Sequence, residues 1–343
     1  MKTRWKTRTF FVAIMWVLVS SLLATDGLTT RALAQTWSWS NLTPVDGPAP
    51  EPRRLGTAIF DPVSYQIIVF GGTGANGLLN DLWAFDLHAL AWSRLDATGT
   101  PPAPRLGHNA VYDPAGHQMV LWAGQQGAQF FNDTWSLDLT TLAWSDLSPA
   151  MRPEARYGSA SIFDPGLRRL VQFAGFTDLS RRFQDTQAFN VETNTWEDLT
   201  PPGDTPEIRC LLTAALDQNT RRMIIYGGQH NGPLDDLWAF DLDAPGWSQF
   251  TPAQRPAGRF FATSFVDLDG NFIVFGGATS SGNVNETWAF NLDGTGQWNR
   301  LEITNPPAER NGMMGAYIEQ ENRFVIFGGV GTDFYNDIWE LSK

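Results

Sequence analysis

The sequence predicts an all-β protein, a six-bladed β-propeller with four-stranded blades, closed by an N-terminal strand that completes the last blade. Three observations predict it. A small-residue pair ending in Gly recurs at Gly71-Gly72, Ala123-Gly124, Ala174-Gly175, Gly227-Gly228, Gly276-Gly277 and Gly328-Gly329, at intervals of 49–53 residues. An acid-x-Trp triplet follows each pair: Asp81-Leu82-Trp83, Asp133-Thr134-Trp135, Asp185-Thr186-Gln187 (with Gln for Trp), Asp236-Leu237-Trp238, Glu286-Thr287-Trp288 and Asp337-Ile338-Trp339. A later Trp recurs at 39, 92, 144, 196, 247 and 298. Eleven of the 15 Trp belong to these two families, so the aromatic load is a property of the repeat.

In chain order, residues 1–34 read as a secretory signal rather than as part of the fold. Lys2, Arg4, Lys6 and Arg8 precede an apolar run from Phe10 to Ala24, and Ala32-Leu33-Ala34 supplies a small-x-small site with cleavage expected before Gln35. The run is shorter than the ~20 residues a spanning helix needs. The expectation is a secreted or periplasmic protein with no stable membrane insertion after cleavage, its propeller occupying residues 35–343. That segment carries 19 Lys+Arg against 35 Asp+Glu, because the leader takes five basic residues and one acid. Such a surface repels phosphate backbones, so nucleic acid is not an expected partner. Cys210 is the single cysteine, which excludes an internal disulfide and suits a small buried residue.

Blade 1 shows the unit. An innermost strand, a, runs from about Gly56 to Phe60, and Asp61-Pro62 marks a turn. Strand b, Gln66 to Phe70, is apolar on both faces, as a blade sandwiched between two others requires. Strand c, Leu82 to Leu87, and strand d, Trp92 to Leu95, complete the sheet. The same layout fits residues 105–147, 156–199, 209–250 and 259–301. The last unit starts at Arg310 and stops after strand c, while Trp37-Ser38-Trp39-Ser40-Asn41-Leu42 matches the d pattern Trp92-Ser93-Arg94-Leu95. The opening strand is therefore expected to close the ring, which removes a free edge.

A unit of about 50 residues with a Gly pair, then Asn-Asp-x-Trp, then a later Trp, resembles the kelch repeat. The match is nearest at Asn80-Asp81-Leu82-Trp83, Asn132-Asp133-Thr134-Trp135 and Asn336-Asp337-Ile338-Trp339, and it covers residues 37–343. The resemblance implies a propeller but not one function, since kelch propellers serve as binding modules and as enzymes.

The expected site lies on the rim shared by the d-to-a and b-to-c loops. An arginine stands at the start of each strand a, at Arg54, Arg105, Arg156, Arg209, Arg259 and Arg310. Six guanidinium groups would trap carboxylate or phosphate, and kelch substrate adaptors look similar, with arginines on this face gripping acidic peptides. The alternative is structural: each arginine precedes the acid of its own blade by 27–29 residues, and a long side chain could bridge strands a and c. The variable b-to-c loops add Phe130, Phe131, Arg181, His230 and Tyr335, with His108 nearby; aromatics mixed with polar groups suit a sugar or a peptide. His88 and His117 fall in turns away from this rim.

No catalytic residue, metal or cofactor is assigned. The resemblance brings in the galactose-oxidase copper site, which needs two His, two Tyr and a thioether-forming Cys, and no motif around any Tyr matches it. The expected function is an exported, monomeric binding module for a protein, acidic peptide or glycan. The alternatives are a carbohydrate-active enzyme of the sialic-acid mutarotase type and a cell-surface structural component.

Overall fold

The computed structural model describes residues 36–343 apart from 179, 180 and 295; the expected leader lies outside the described residues. The described chain is β-sheet with one short 3-10 turn, Glu319–Glu321. Each blade is an antiparallel four-strand meander, and the six innermost strands are Thr57–Asp61, Asn109–Asp113, Ala160–Asp164, Thr213–Asp217, Thr263–Val266 and Met314–Ile318. They neighbour one another in chain order, and the last meets the first. Ring closure follows the sequence expectation: Ser38–Asn41 pairs antiparallel with Ile338–Ser342, with Trp39 opposite Leu341.

The repeated residues explain why blades stack. Each d-strand Trp lies against the aromatic that ends strand b of the preceding blade. The pairs are Trp92–Phe327, Trp144–Phe70, Trp196–Trp122, Trp247–Phe173, Trp298–Tyr226 and Trp39–Phe275, with ring centroids 4.3–5.1 Å apart. Tilted aromatic pairs of this kind are worth ~0.5–1.5 kcal/mol beyond the area they bury.

The glycine pair is a joint between blades. Its second member has φ of 97–117°, a region in practice restricted to Gly. Its N–H donates to the carbonyl of the arginine that opens the next blade, as in Gly72 to Arg105 at 2.9 Å and Gly329 to Arg53 at 2.8 Å. The first member sits near φ +65°, where Ala123 and Ala174 also fit, so the two Ala departures from the repeat leave the joint intact.

One residue of each unit adds a closed ring at the axis. Leu55, Gly107, Gly158, Leu211, Phe261 and Gly312 all have φ of 55–66°. The N–H of each donates to the carbonyl of its counterpart in the preceding blade, and Leu55 returns the circuit to Gly312, over 2.6–2.9 Å. Six backbone bonds thus draw together the starts of the inner strands. The space at this end, the narrow end, is about 190 Å³, and that at the a-to-b turns, the wide end, is about 540 Å³.

Candidate functional site

The repeated arginines build blades. Arg53, Arg105, Arg156, Arg209, Arg259 and Arg310 are each no more than 1% exposed. Arg105 is typical. Its Nη1 and Nη2 bond the two carboxylate oxygens of Asp133 at 2.6 and 2.7 Å, Nη1 also donates to the Ala123 carbonyl, and Nε donates to the Ala103 carbonyl. Phe131 lies under the guanidinium, 4.0 Å away. Blade 5 uses Glu286 for the acid, reached by Arg259 Nη2 at 3.0 Å. A planar fork facing a carboxylate is the geometry that favours Arg over Lys.

The acid is shared with the residue two positions on. Trp83 Nε1 donates to Asp81 Oδ2 at 2.7 Å, and Trp135, Trp238, Trp288 and Trp339 do likewise in their own blades. Gln187 keeps the interaction through its amide nitrogen, 3.2 Å from Asp185 Oδ2, which is why blade 3 tolerates the loss of Trp. The arginine fork and the indole N–H also oppose the burial that would otherwise raise the carboxyls of Asp81 and Asp236, and hold both below the usual carboxylate range.

Two sequence expectations are therefore corrected. Arg105, Arg156, Arg209, Arg259 and Arg310 do not form a ligand-facing ring, because their guanidinium groups are buried and already bonded. In blade 1 the buried member is Arg53, bonded to Asp81 at 2.6 Å, and not Arg54. Successive residues of a strand point to opposite sides, so a side chain adjacent to the blade-building arginine is directed elsewhere.

That adjacent position carries the difference between blades. It holds Arg54, Leu106, Tyr157, Cys210, Phe260 and Asn311, one residue ahead of the axial ring. Each pairs with the residue that follows the glycine pair of its own blade, as in Arg54 with Thr73 and Tyr157 with Phe176. Arg54 is half-buried, its Nε has no hydrogen-bond partner, and burial holds its pKa below the ordinary arginine value. Arg182 lies 5.4 Å over the Phe176 ring, with its Nε likewise unpartnered. Among the described residues neither arginine pairs with a carboxylate. Both lie within electrostatic reach of Tyr157, whose phenol is pushed up by burial and by Cys210 and drawn down by the two arginines. Burial likewise raises the Cys210 thiol, against the pull of Arg182.

The remaining expected residues divide. Phe130 joins the cluster, its ring 5.9 Å from Tyr157 and 6.0 Å from Phe176. Phe131 and Tyr335 are stacked beneath Arg105 and Arg310 and serve the blades. His108 is buried between blades 1 and 2, its Nε2 3.0 Å from Thr57 Oγ1. Arg181 is exposed and ion-paired with Glu154, and His230 Nδ1 lies 3.6 Å from Glu207. The sequence reading missed Tyr157; its signal was the variable position after an invariant arginine. The cluster as a whole presents two guanidinium groups and a phenol beside two phenylalanine rings. It can hold a carboxylate whose neighbour is apolar.

Comparison with known proteins agrees with this architecture. The model of the KLHDC2/KLHL20/DRC7 Kelch-repeats domain matches residues 28–216 and 167–342. The chain is similar to Kelch domain-containing protein 10 of Xenopus tropicalis, 30% identical over 222 residues that make up 60% of this chain and 51% of that protein. It is also similar to the Leucine-zipper-like transcriptional regulator 1 homolog of Drosophila melanogaster, 29% identical over 55% of this chain and 20% of that protein. The Host cell factor homolog hcf-1 of Caenorhabditis elegans is 24% identical over 62% of this chain and 29% of that protein. The matched region thus spans about half or less of each relative's length. Relatives of this kind suggest a protein-binding module. No helix among the described residues is long and apolar enough to cross a membrane. By the repeat, the closed ring of blades and the family match, the chain belongs to the kelch-repeat β-propellers.

Proposed function

We propose that the chain is an exported binding module that takes an acidic segment of a partner protein over the narrow end of the channel. One observation carries the reading: Arg54, next to the axial ring, and Arg182, over the Phe176 ring, are part-buried without a carboxylate partner among the described residues, in a chain whose repeated buried arginines are each bonded to an acid. Leaving a guanidinium half-buried and unpaired is costly, and a ligand carboxylate would offset that cost. Phe130, Tyr157 and Phe176 offer ring faces to an apolar side chain beside it.

Acidic and amide-matched peptide arrays test the reading. Wild-type protein is expected to select peptides with carboxylates next to an aromatic or aliphatic residue. Arg54→Met and Arg182→Met are each expected to weaken binding at least ~10-fold, equivalent to about 1.4 kcal/mol. Urea-measured stability should not fall, and should rise if anything, because Met removes the half-buried unpaired charge. Equal binding of amide-matched peptides, or indifference to both substitutions, would overturn it. Export rests on the leader at residues 1–34, and protein recovered from the culture fluid or periplasm should begin at Gln35; an intact Met1 there would count against it.

A further inference from the structure

At the opposite end of the channel the a-to-b turns surround a cavity of about 540 Å³, within the ~300–1,000 Å³ range of small-molecule sites. It is part of the same channel, since Ala58 and Gly315 line both ends. The repeat shapes it. The second residues of the inner strands include Ala58, Ala214, Ser264 and Gly315, whose small side chains leave the interior empty. The fourth residues are Phe60, Tyr112, Phe163, Leu216, Val266 and Tyr317, which wall the wider part.

Four of those six are aromatic, and all four are only part-buried. Phe60 meets Tyr65 at 5.6 Å, Tyr112 meets His117 at 6.2 Å, and Tyr317 stacks on Phe265 at 4.8 Å. Among the described residues, no aromatic pair joins one of the four to another across the channel. Ring surface therefore remains available to an occupant.

The charge at this end has one sign where it matters. Of the residues that line the cavity only Asp267 and Glu319 are ionisable as acids or bases of ordinary pH, and both are acidic. Basic side chains near this end do not line the cavity and are engaged with acids. Arg168 bonds Asp113 at 2.9 Å, Arg221 bonds Asp164 at 3.0 Å, Arg222 bonds Asp217 at 3.0 Å, and Lys343 pairs with Asp267 at 3.3 Å. His117 lies 3.0 Å from Asp61. The Tyr112 and Tyr317 phenols are both pushed up, by burial first and then by nearby acids: Asp61 and Asp113 for the former, Asp267, Glu319 and Asp269 for the latter. Glu319 is steadied by the Gln218 amide, which donates to Oε2 at 2.7 Å. An anion would meet no free donor charge here. A neutral apolar molecule would fill the cavity without using the carboxylate.

We infer that this wide end is a site for a small organic cation, an amine or quaternary ammonium with an apolar body, held by the ring faces and by Glu319. Aromatic faces attract such ions through the ring quadrupole, the more strongly when water is excluded. The site is separate from the narrow end and does not depend on what binds there.

Titration calorimetry with choline, its neutral isostere 3,3-dimethylbutanol, and benzoate tests it. Choline is expected to bind at least ~10-fold more tightly than the neutral isostere, with no heat from benzoate. Glu319→Gln should weaken choline several-fold and leave the isostere unchanged. Tyr112→Leu should weaken it, while Tyr112→Phe, which keeps the ring, should not; melting curves establish that each variant is folded. Arg54→Met should leave choline binding untouched, so failure here and failure of the peptide reading are distinguishable. Equal affinity for choline and its isostere, tighter binding of benzoate, or no choline binding at millimolar concentration would overturn the inference.

Discussion

At the narrow end of the channel the six inner strands begin with a closed circuit of backbone hydrogen bonds, and at the wide end the same strands finish in a wall of side chains. The first end is held by groups every residue possesses, so its repeat tolerates Leu55, Gly107, Gly158, Leu211, Phe261 and Gly312 at one position. The second is held by particular pairs between blades. His117 reaches back to Asp61, Arg168 to Asp113 and Arg221 to Asp164, each from a residue with φ of 44–51° at the close of the a-to-b turn. The contrast teaches where to look for function in a ring of repeats. Chemistry present in every blade closes the ring, and chemistry present once is left for a ligand. Arg53 and Arg54 make the point at a single peptide bond: one is fully buried against Asp81, the other half-buried with no acid among the described residues.

The largest effect expected from breaking this contrast is at a repeated arginine. Arg105→Met removes the partner of Asp133 and leaves the Ala123 and Ala103 carbonyls without their donor. Breaking a buried pair on one side costs about 3–5 kcal/mol. Urea denaturation should show a loss of that size. Pairing it with Asp133→Leu should recover part of the loss, because the uncompensated carboxylate is then gone. A change below about 1 kcal/mol in the single variant would return the repeated arginines to the list of ligand contacts.

Much of the fold was legible because each repeated residue answers a need that recurs in every blade. The d-strand Trp must meet the preceding blade, the second glycine must adopt φ near 100°, and the acid must be reached by both an arginine and an indole. The site was less legible, for physical reasons. In Arg53-Arg54 both residues fit a repeat whose spacing varies by several residues, and only the alternation of side chains along the strand separates them. The axial ring was hidden because Leu55, Leu211 and Phe261 occupy a left-handed conformation that composition associates with Gly. The wide cavity was not legible because nothing in the repeat marks Phe60, Tyr112, Phe163 and Tyr317 as lining an open axis, which only the closed ring of blades creates.

Two histidines sharpen the comparison with a smaller expected effect. His117 at the wide end is half-buried, with its ring nitrogens 3.0 Å from Asp61 and from Thr140. His108 at the narrow end is buried between blades, its Nδ1 has no partner, and burial followed by the Arg105 charge pushes its pKa down to about 3. An unfolded histidine titrates near ~6.5, so between these values the unfolded chain binds the additional proton. The sign follows: stability from this group is complete above pH ~6.5 and falls by about 1.4 kcal/mol per unit as the pH drops. At pH 5 the loss should reach about 2 kcal/mol. The part-buried carboxylates Asp81 and Asp236 are held below the usual carboxylate range by their arginine and indole partners and do not contribute in this window. Urea denaturation of wild type and His108→Asn at pH 7.5 and 5 isolates the effect, because the other histidines are common to both chains. The wild type should lose about 2 kcal/mol more than the variant over that interval, and equal losses would mean that the narrow end admits a charge its packing is argued to exclude.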